Sequence, residues 1–337
     1  MATVFNDDAL KKDSFNEDFL VSSDHYAEVM EHEVLPRLKA AETVEMVPGG
    51  GGKPLYTVSY PADRPVGTVL IVHGFTENAF KYSELIFSLL RNHFSVIAYD
   101  QRGHGRSWRP EGIADPSVTH VDRFGDYVDD LKAVCDHFPV RPLFVFAHSM
   151  GGAVTSLFLE QYPDVFSAAV LCAPMIAPQT RGVPFPVANS ICRIACARGM
   201  GKQHPFFMKP WSGPEEFASS CATDPQRFAW YDAVKTSTEA FRNSIPTYGW
   251  TMESLAVTKK ILAEGAPEKI NCPVLLCTAE NDHSVLPAPQ EAFISRVPGG
   301  KHVFVKNARH EIFRSTNEVL FPWWHEVLGF LTDHLPR

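Results

Sequence analysis

The chain reads as short, nearly unbroken apolar runs separated by longer amphipathic stretches. Six runs carry the pattern most clearly: Thr68 to Val72, Val96 to Tyr99, Leu143 to Ala147, Ala168 to Cys172, Val274 to Thr278 and His302 to Val305. Such runs predict strands covered on both faces. Helical spacing between them predicts the α/β class, a mainly parallel sheet flanked by helices. Ahead of them, Glu42 to Val47 and Leu55 to Tyr60 alternate around Pro48 to Gly52, which predicts a hairpin entering that sheet.

The rhythm lapses in two places. Residues 1–40 are polar with one weakly amphipathic stretch, which reads as an N-terminal extension to a single domain over residues 41–337. Between about Ile176 and Glu264 the alternation stops and Pro, Phe, Trp and Met accumulate. Val183-Pro184-Phe185-Pro186, Phe206-Phe207-Met208 and Trp211 present more apolar surface than a loop normally tolerates. This predicts a helical cap, inserted after the sixth strand and lying over the ligand edge of the sheet.

Composition narrows the setting. At 337 residues, with 45% hydrophobic and 21% charged, the chain falls among folded globular proteins. Lys and Arg number 31 against 39 Asp and Glu, a net charge of −8. That balance argues against nucleic acid as a partner. It also gives no electrostatic reason to bind anionic lipid, so membrane docking would rest on the apolar cap alone. The first residues lack a signal-peptide layout, and no apolar run approaches the roughly 18 residues that span a bilayer. Seven cysteines is an odd count, and Cys172, Cys272 and Cys277 lie in apolar runs as free thiols would. A reducing, cytoplasmic setting is expected, with peripheral membrane contact or a homo-oligomer through the cap as the two partner readings.

The candidate chemistry starts at Phe144-Val145-Phe146-Ala147-His148-Ser149-Met150-Gly151-Gly152, a strand, a serine among small residues, and then helical periodicity to Tyr162. The glycine-x-serine-x-glycine elbow needs small neighbours because its serine sits on a strained strand-to-helix turn. Ala147 stands in for the first glycine. An ordinary strand-turn-helix with a serine N-cap would use similar residues.

A serine nucleophile needs a base and an acid to orient it, and on this design they follow in the order Ser, Asp or Glu, His. Pro273 to Asp282 is an apolar strand running into an acidic turn, which makes Asp282 the candidate acid and Glu280 its competitor. Lys301 to Glu311 is the next strand and its exit loop, and His310 is the candidate base. Acyl transfer also needs donors for a developing oxyanion. The turn Val72-His73-Gly74-Phe75 offers the Phe75 N–H, and Met150 after the serine offers the second.

The segment Asp100 to Ser107 lacks the spacing of a P-loop or a dinucleotide fingerprint and reads as a structural turn beside the site. No set of His, Cys and carboxylates has metal-ligand spacing; Cys192 and Cys196, four apart, lack partners. Neither a metal nor another cofactor is expected.

With these residues placed, the chain resembles the α/β-hydrolase superfamily, and within it the S33-like serine hydrolases that group monoacylglycerol lipases with bacterial lysophospholipases. The resemblance spans about residues 40–335. It rests on His73-Gly74-x-x-Glu77 with Lys81-Tyr82, the Asp100 to Ser107 turn, His148 to Gly152, and Ala308-Arg309-His310-Glu311. His120 to Leu131, Ala147 and Pro246-Thr247-Tyr248-Gly249-Trp250 are similar to the membrane-associated bacterial lysophospholipases. It implies an α/β-hydrolase fold and a small-molecule lipid or ester substrate, hydrolysed as a monoacyl lipid through an acyl-enzyme. A short- or medium-chain carboxylesterase and an S33-like peptidase are the alternatives on the same fold.

Overall fold

The computed structural model describes residues 14–180 and 182–336. The main sheet has eight strands, in the order β1-β2-β4-β3-β6-β7-β9-β10. They are β1 (Thr43–Pro48), β2 (Pro54–Tyr60), β3 (Gly67–Val72), β4 (Phe94–Tyr99), β6 (Leu143–His148), β7 (Ala168–Cys172), β9 (Val274–Ala279) and β10 (Lys301–Val305). Only β2 runs antiparallel to its neighbours, as the partner of β1 in the expected hairpin, with Val47 opposite Leu55. From β4 to β10 every pairing is parallel. Two short strands, β5 (Val118–Thr119) and β8 (Ile245–Pro246), form a separate parallel pair.

Alternation along the strands sends successive side chains to opposite faces, and each face has its own core. In β6, Phe144 and Phe146 enter one core while Leu143, Val145 and Ala147 enter the other. The first core is covered by α3 (Ser83–Arg91) and α10 (Asn317–Asp333); the second by α4 (Gly125–His137), α5 (Met150–Gln161) and α9 (Pro287–Ile294).

Residues 14–41 also pack into the first core. Leu20 and Val21 are fully buried, and α1 (Tyr26–Val29), a π-helical turn (Met30–Val34) and α2 (Leu35–Ala41) bury Tyr26, Val29, Met30, Val34 and Leu38. The expectations for residues 1–13, including the absence of a signal-peptide layout, lie outside the described residues. The cap follows β7, the sixth strand of the main sheet. It contains α6 (Phe185–Ala197), α7 (Pro225–Ser237) and α8 (Tyr248–Ile261), with β8 between the last two. Helix α8 lies on the body, where Trp250 Nε1 donates to the Tyr127 hydroxyl at 3.2 Å and Glu253 accepts from the Phe124 N–H at 2.9 Å. Helix α6 packs on α8 through the buried Cys192 and Ala195. No helix among the described residues is long and apolar enough to cross a membrane.

Candidate active site

In a parallel sheet the carboxyl ends of the strands open on one edge, and ligands bind in the crevice outside them. Ser149, Asp282, His310 and Phe75 lie in turns or loops at that edge, and Met150 opens the helix there. Ser149 follows β6, with φ 51° and ψ −117°. A non-glycine residue at positive φ stores strain of order 1–3 kcal/mol, and here the surroundings hold it. The Ser149 N–H donates to the Cys172 carbonyl at 3.1 Å, and the Ser149 carbonyl accepts from the Met175 and Ala153 N–H groups. The glycines after it are required by contact: a Cβ on Gly151 would sit 2.2 Å from the Val72 carbonyl oxygen, and one on Gly152 2.5 Å from Pro174 Cβ.

His310 reaches Ser149 from the loop after β10. Its Nε2 lies 2.8 Å from Ser149 Oγ, and its Nδ1 lies 2.7 Å from Asp282 Oδ2. Asp282 sits in the loop after β9, where its other oxygen accepts from the Ser284 and Val285 N–H groups at 2.8 and 3.0 Å. Burial alone would raise the Asp282 pKa. The adjacent His310 and these hydrogen bonds outweigh it and hold the carboxyl below the usual range. Glu280, the competing carboxylate, is exposed and accepts from the Asn307 N–H instead. The structure thus brings Ser149, His310 and Asp282 into one hydrogen-bonded line and leaves Glu280 out of it.

Phe75 and Met150 occupy neighbouring turns, because β3 and β6 pair directly with Val72 opposite Ala147. Neither amide has a protein acceptor among the described residues. Met150 opens α5, so its N–H belongs to the unpaired first turn of a helix, where partial positive charge collects. The Phe75 turn is held from below. The His73 imidazole donates from Nδ1 to the Gly74 carbonyl and accepts at Nε2 from the Gln101 N–H at 2.8 Å. The Asp100 to Ser107 turn therefore braces the site.

Behind the serine lies a buried charge network that the sequence reading quoted but gave no role. Glu77 Oε2 accepts from the Gly74 N–H at 2.6 Å and from the Tyr82 hydroxyl at 2.5 Å. His148 places Nδ1 3.0 Å from the same oxygen and Nε2 3.1 Å from the His310 carbonyl. Both partners only accept, so both ring nitrogens carry protons and His148 is an imidazolium. Burial pulls its pKa down, but Glu77 more than offsets that and raises it. Lys81 closes the network between Glu77 at 2.9 Å and Glu311 at 2.6 Å. Burial would raise the Glu77 pKa, yet Lys81 and His148 hold it well below the carboxylate range. The sequence signal was the recurrence of His73-Gly74-x-x-Glu77 and His310-Glu311 within the resemblance; the contacts join loops 71 and 230 residues apart.

The cap holds an apolar cavity of about 460 Å³, lined by residues including Ile191, Phe207, Met208, Trp250 and Leu255. Its wall meets the site at Trp250, whose ring centroid lies 4.1 Å from that of Phe75. A depression of about 520 Å³ lined by Tyr60, Gly67 and Pro142 sits at the far ends of the strands, away from this chemistry. The exposed Glu17 and His325 and the buried Asp18 bring ligand atoms within 4.8 Å of one another, and His325 and Asp18 already pair there at 3.1 Å.

A mostly parallel eight-stranded sheet with a strained serine elbow at its carboxyl edge defines an α/β-hydrolase of the serine class. A family model described as serine aminopeptidase, S33 matches residues 63–317. Lysophospholipase L2 of Escherichia coli (strain K12) is 32% identical over 299 residues, covering 83% of this chain and 85% of that protein. Monoacylglycerol lipase of Mycolicibacterium smegmatis is 26% identical over 298 residues, 85% of this chain and 95% of that one. Among solved structures, a soluble variant of the Saccharomyces cerevisiae monoglyceride lipase in complex with a substrate analogue superposes with a TM-score of 0.67 at 20% identity, over 87% of this chain and 96% of that one. The chain belongs to the serine aminopeptidase S33 family, and it is a serine hydrolase.

Proposed function

We propose that the protein hydrolyses carboxylic esters of monoacyl lipids, of the lysophospholipid or monoacylglycerol kind. The observation that carries this is the Ser149–His310–Asp282 line, at 2.8 and 2.7 Å, beside an apolar cavity large enough for a single acyl chain. The names of the relatives at 32% and 26% identity support the substrate class.

Ser149 Oγ attacks the ester carbonyl while His310 Nε2 takes its proton. Asp282 holds the His310 tautomer and stabilises the imidazolium that forms. The Phe75 and Met150 amides donate to the oxyanion, each such donor lowering the barrier by about 3–4 kcal/mol. Collapse expels the alcohol, protonated by His310, and leaves an acyl-Ser149 ester. Water activated by the same histidine then releases the fatty acid. The acyl chain lies in the cap cavity, each buried methylene contributing about 0.8 kcal/mol.

The family description raises the aminopeptidase reading. The residues lining the cap cavity include no carboxylate, so a peptide's charged amino terminus would be left there without a counter-ion.

Ser149→Ala is expected to abolish turnover of p-nitrophenyl esters and labelling by a fluorophosphonate probe; retention of either would overturn the nucleophile assignment. In the wild type, kcat/KM should rise with acyl length, and lysophospholipids and monoacylglycerols should be cleaved in preference to aminoacyl p-nitroanilides. A preference for acetate esters or for the anilides would instead favour a short-chain esterase or a peptidase.

A further inference from the structure

Two motifs within the resemblance, His120 to Leu131 and Pro246 to Trp250, contribute no residue to the Ser149–His310–Asp282 line or to the charge network behind it. They meet at Trp250. Thr247, fully buried, caps α8 by accepting from the Trp250 N–H at 3.1 Å, and its hydroxyl lies 2.7 Å from His120 Nδ1. The Thr247 N–H donates to the Thr119 carbonyl at 3.0 Å, beside the β5–β8 pair. Gly249 allows the helix to start this close, since a Cβ there would sit 2.7 Å from His120 Cε1. The indole N–H donates to the Tyr127 hydroxyl of α4. Backbone and ring of Trp250 are thus both fixed to the body, although the residue belongs to the cap.

The ring held in this way packs on the oxyanion turn. The Phe75 ring lies between Trp250, with centroids 4.1 Å apart and planes tilted by 37°, and the fully buried His104, 5.8 Å away and nearly perpendicular. The backbone beside it needs such support. Thr76, the next residue, has φ 64°, which is strained for a β-branched side chain. A strained turn keeps its geometry only where its surroundings over-determine it. Gly74, on the other side, is tied through its N–H to Glu77, so the Phe75 ring is the handle left for the cap to hold.

We propose that Trp250 is a positioning residue for the oxyanion donor: by packing on the Phe75 side chain it aims the Phe75 N–H at the developing charge. This rests on the ester-hydrolysis reading of the site. Trp250 acts through Phe75 and not on the reacting atoms. Because the oxyanion forms only as the carbonyl is attacked, the contribution belongs to kcat and not to KM. Trp250 also lines the cap cavity, but any apolar side chain would serve that second purpose.

Trp250→Leu separates the two, keeping the wall apolar while removing the ring from Phe75. With p-nitrophenyl butyrate it should lower kcat about 10- to 100-fold, less than outright loss of a donor, and change KM less than about threefold. Trp250→Phe, which keeps an aromatic ring, should recover most of the loss. Phe75→Leu keeps the amide and removes the same contact from the other side, so it should cost about as much. The double variant should cost little more than either single one, because both act through one contact. Butyl trifluoromethyl ketone, whose hemiketal with Ser149 needs the oxyanion donors, should weaken by about the kcat factor in each leucine variant, while butyl methyl ketone binds as before. The hemiketal is read by fluorine NMR without turnover. A wild type that forms it yet cleaves no ester would count against the ester reading alone, and the ratio of the two ketone affinities would still decide this proposal. Thermal melts report folding; should Trp250→Leu not fold, Phe75→Leu, at a half-buried position, carries the ketone comparison. Additive losses in the double variant, a loss carried by KM, or an unchanged ketone ratio in a folded leucine variant overturns the proposal.

Discussion

At the residue scale, the three groups in the hydrogen-bonded line were legible because each follows an apolar run and parallel strands deliver such positions to one edge. Glu77 and His148 were not legible in role, because their partners come from other loops. Their arrangement has a consequence for pH. The His148 pKa is raised in the folded protein, so the stabilisation from its ion pair with Glu77 is complete below the ordinary histidine pKa. It is lost as pH rises through the raised value. Deprotonated His148 can no longer donate both to Glu77 and to the His310 carbonyl, so the base loop loosens on the alkaline side. Glu77→Gln removes the carboxylate that raises this pKa. The alkaline limb of kcat/KM against pH for a soluble ester should move to lower pH, with KM near neutrality changed far less than kcat. An unchanged alkaline limb in a folded variant would show that Glu77 does not position the base loop.

At the element scale, the main-sheet strands fell within a residue or two of their predicted ends, the inner ones because two buried faces leave strand residues almost no polar positions; the edge strands β1 and β10 are largely exposed, so the expectation that His302 to Val305 is covered on both faces does not hold, with Phe304 53% exposed. What escaped was short or masked by polarity. Strand β8 is two residues long, too short for any period to register. The helical turns of residues 26–41 bury 26, 29, 30, 34 and 38, a helical stripe diluted by Glu28, Glu31, His32 and Glu33. The elbow shows how tightly elements constrain one another. Because α5 begins against the end of β3, a methyl on Gly151 meets backbone oxygens of Val72 and His73 at 2.2 and 2.6 Å, and neither can rotate away. Gly151→Ala should therefore cost about 3 kcal/mol or more, read as a lower urea midpoint. Gly329→Ala, on α10 with nothing within 4 Å of the added methyl, should be neutral or stabilising by up to about 1 kcal/mol. Equal midpoints for the two variants would contradict the close approach of α5 to β3.

At the scale of the whole molecule, the N-terminal segment, the cap and the C-terminal helix meet at one side chain. Arg227 of α7 is fully buried. It donates to the Val21 carbonyl at 2.5 Å, to Glu84 of α3 at 3.1 Å, and to the Ser315 carbonyl and Asn317 Oδ1 at 3.2 and 3.0 Å. Tyr26 adds a hydroxyl bond to Glu84 at 2.9 Å and an edge-on contact with Trp230 of the cap. A polar segment read as an extension thus completes the solvation of a buried cation and covers one core. Its seven buried apolar residues, Leu20, Val21, Tyr26, Val29, Met30, Val34 and Leu38, contribute on the order of 10–20 kcal/mol of gross burial, an upper bound. The entropy of ordering the segment offsets much of this, but net stability is only about 5–15 kcal/mol. Deleting residues 1–40 also strips Arg227 of the Val21 and Ser23 acceptors, and an under-satisfied buried charge is strongly destabilising. The truncated chain should lose its near-ultraviolet circular dichroism and bind a hydrophobic dye. A truncation at 40 that melts cooperatively at the full-length midpoint would show that the segment is dispensable and that the body meets the needs of Arg227 unaided.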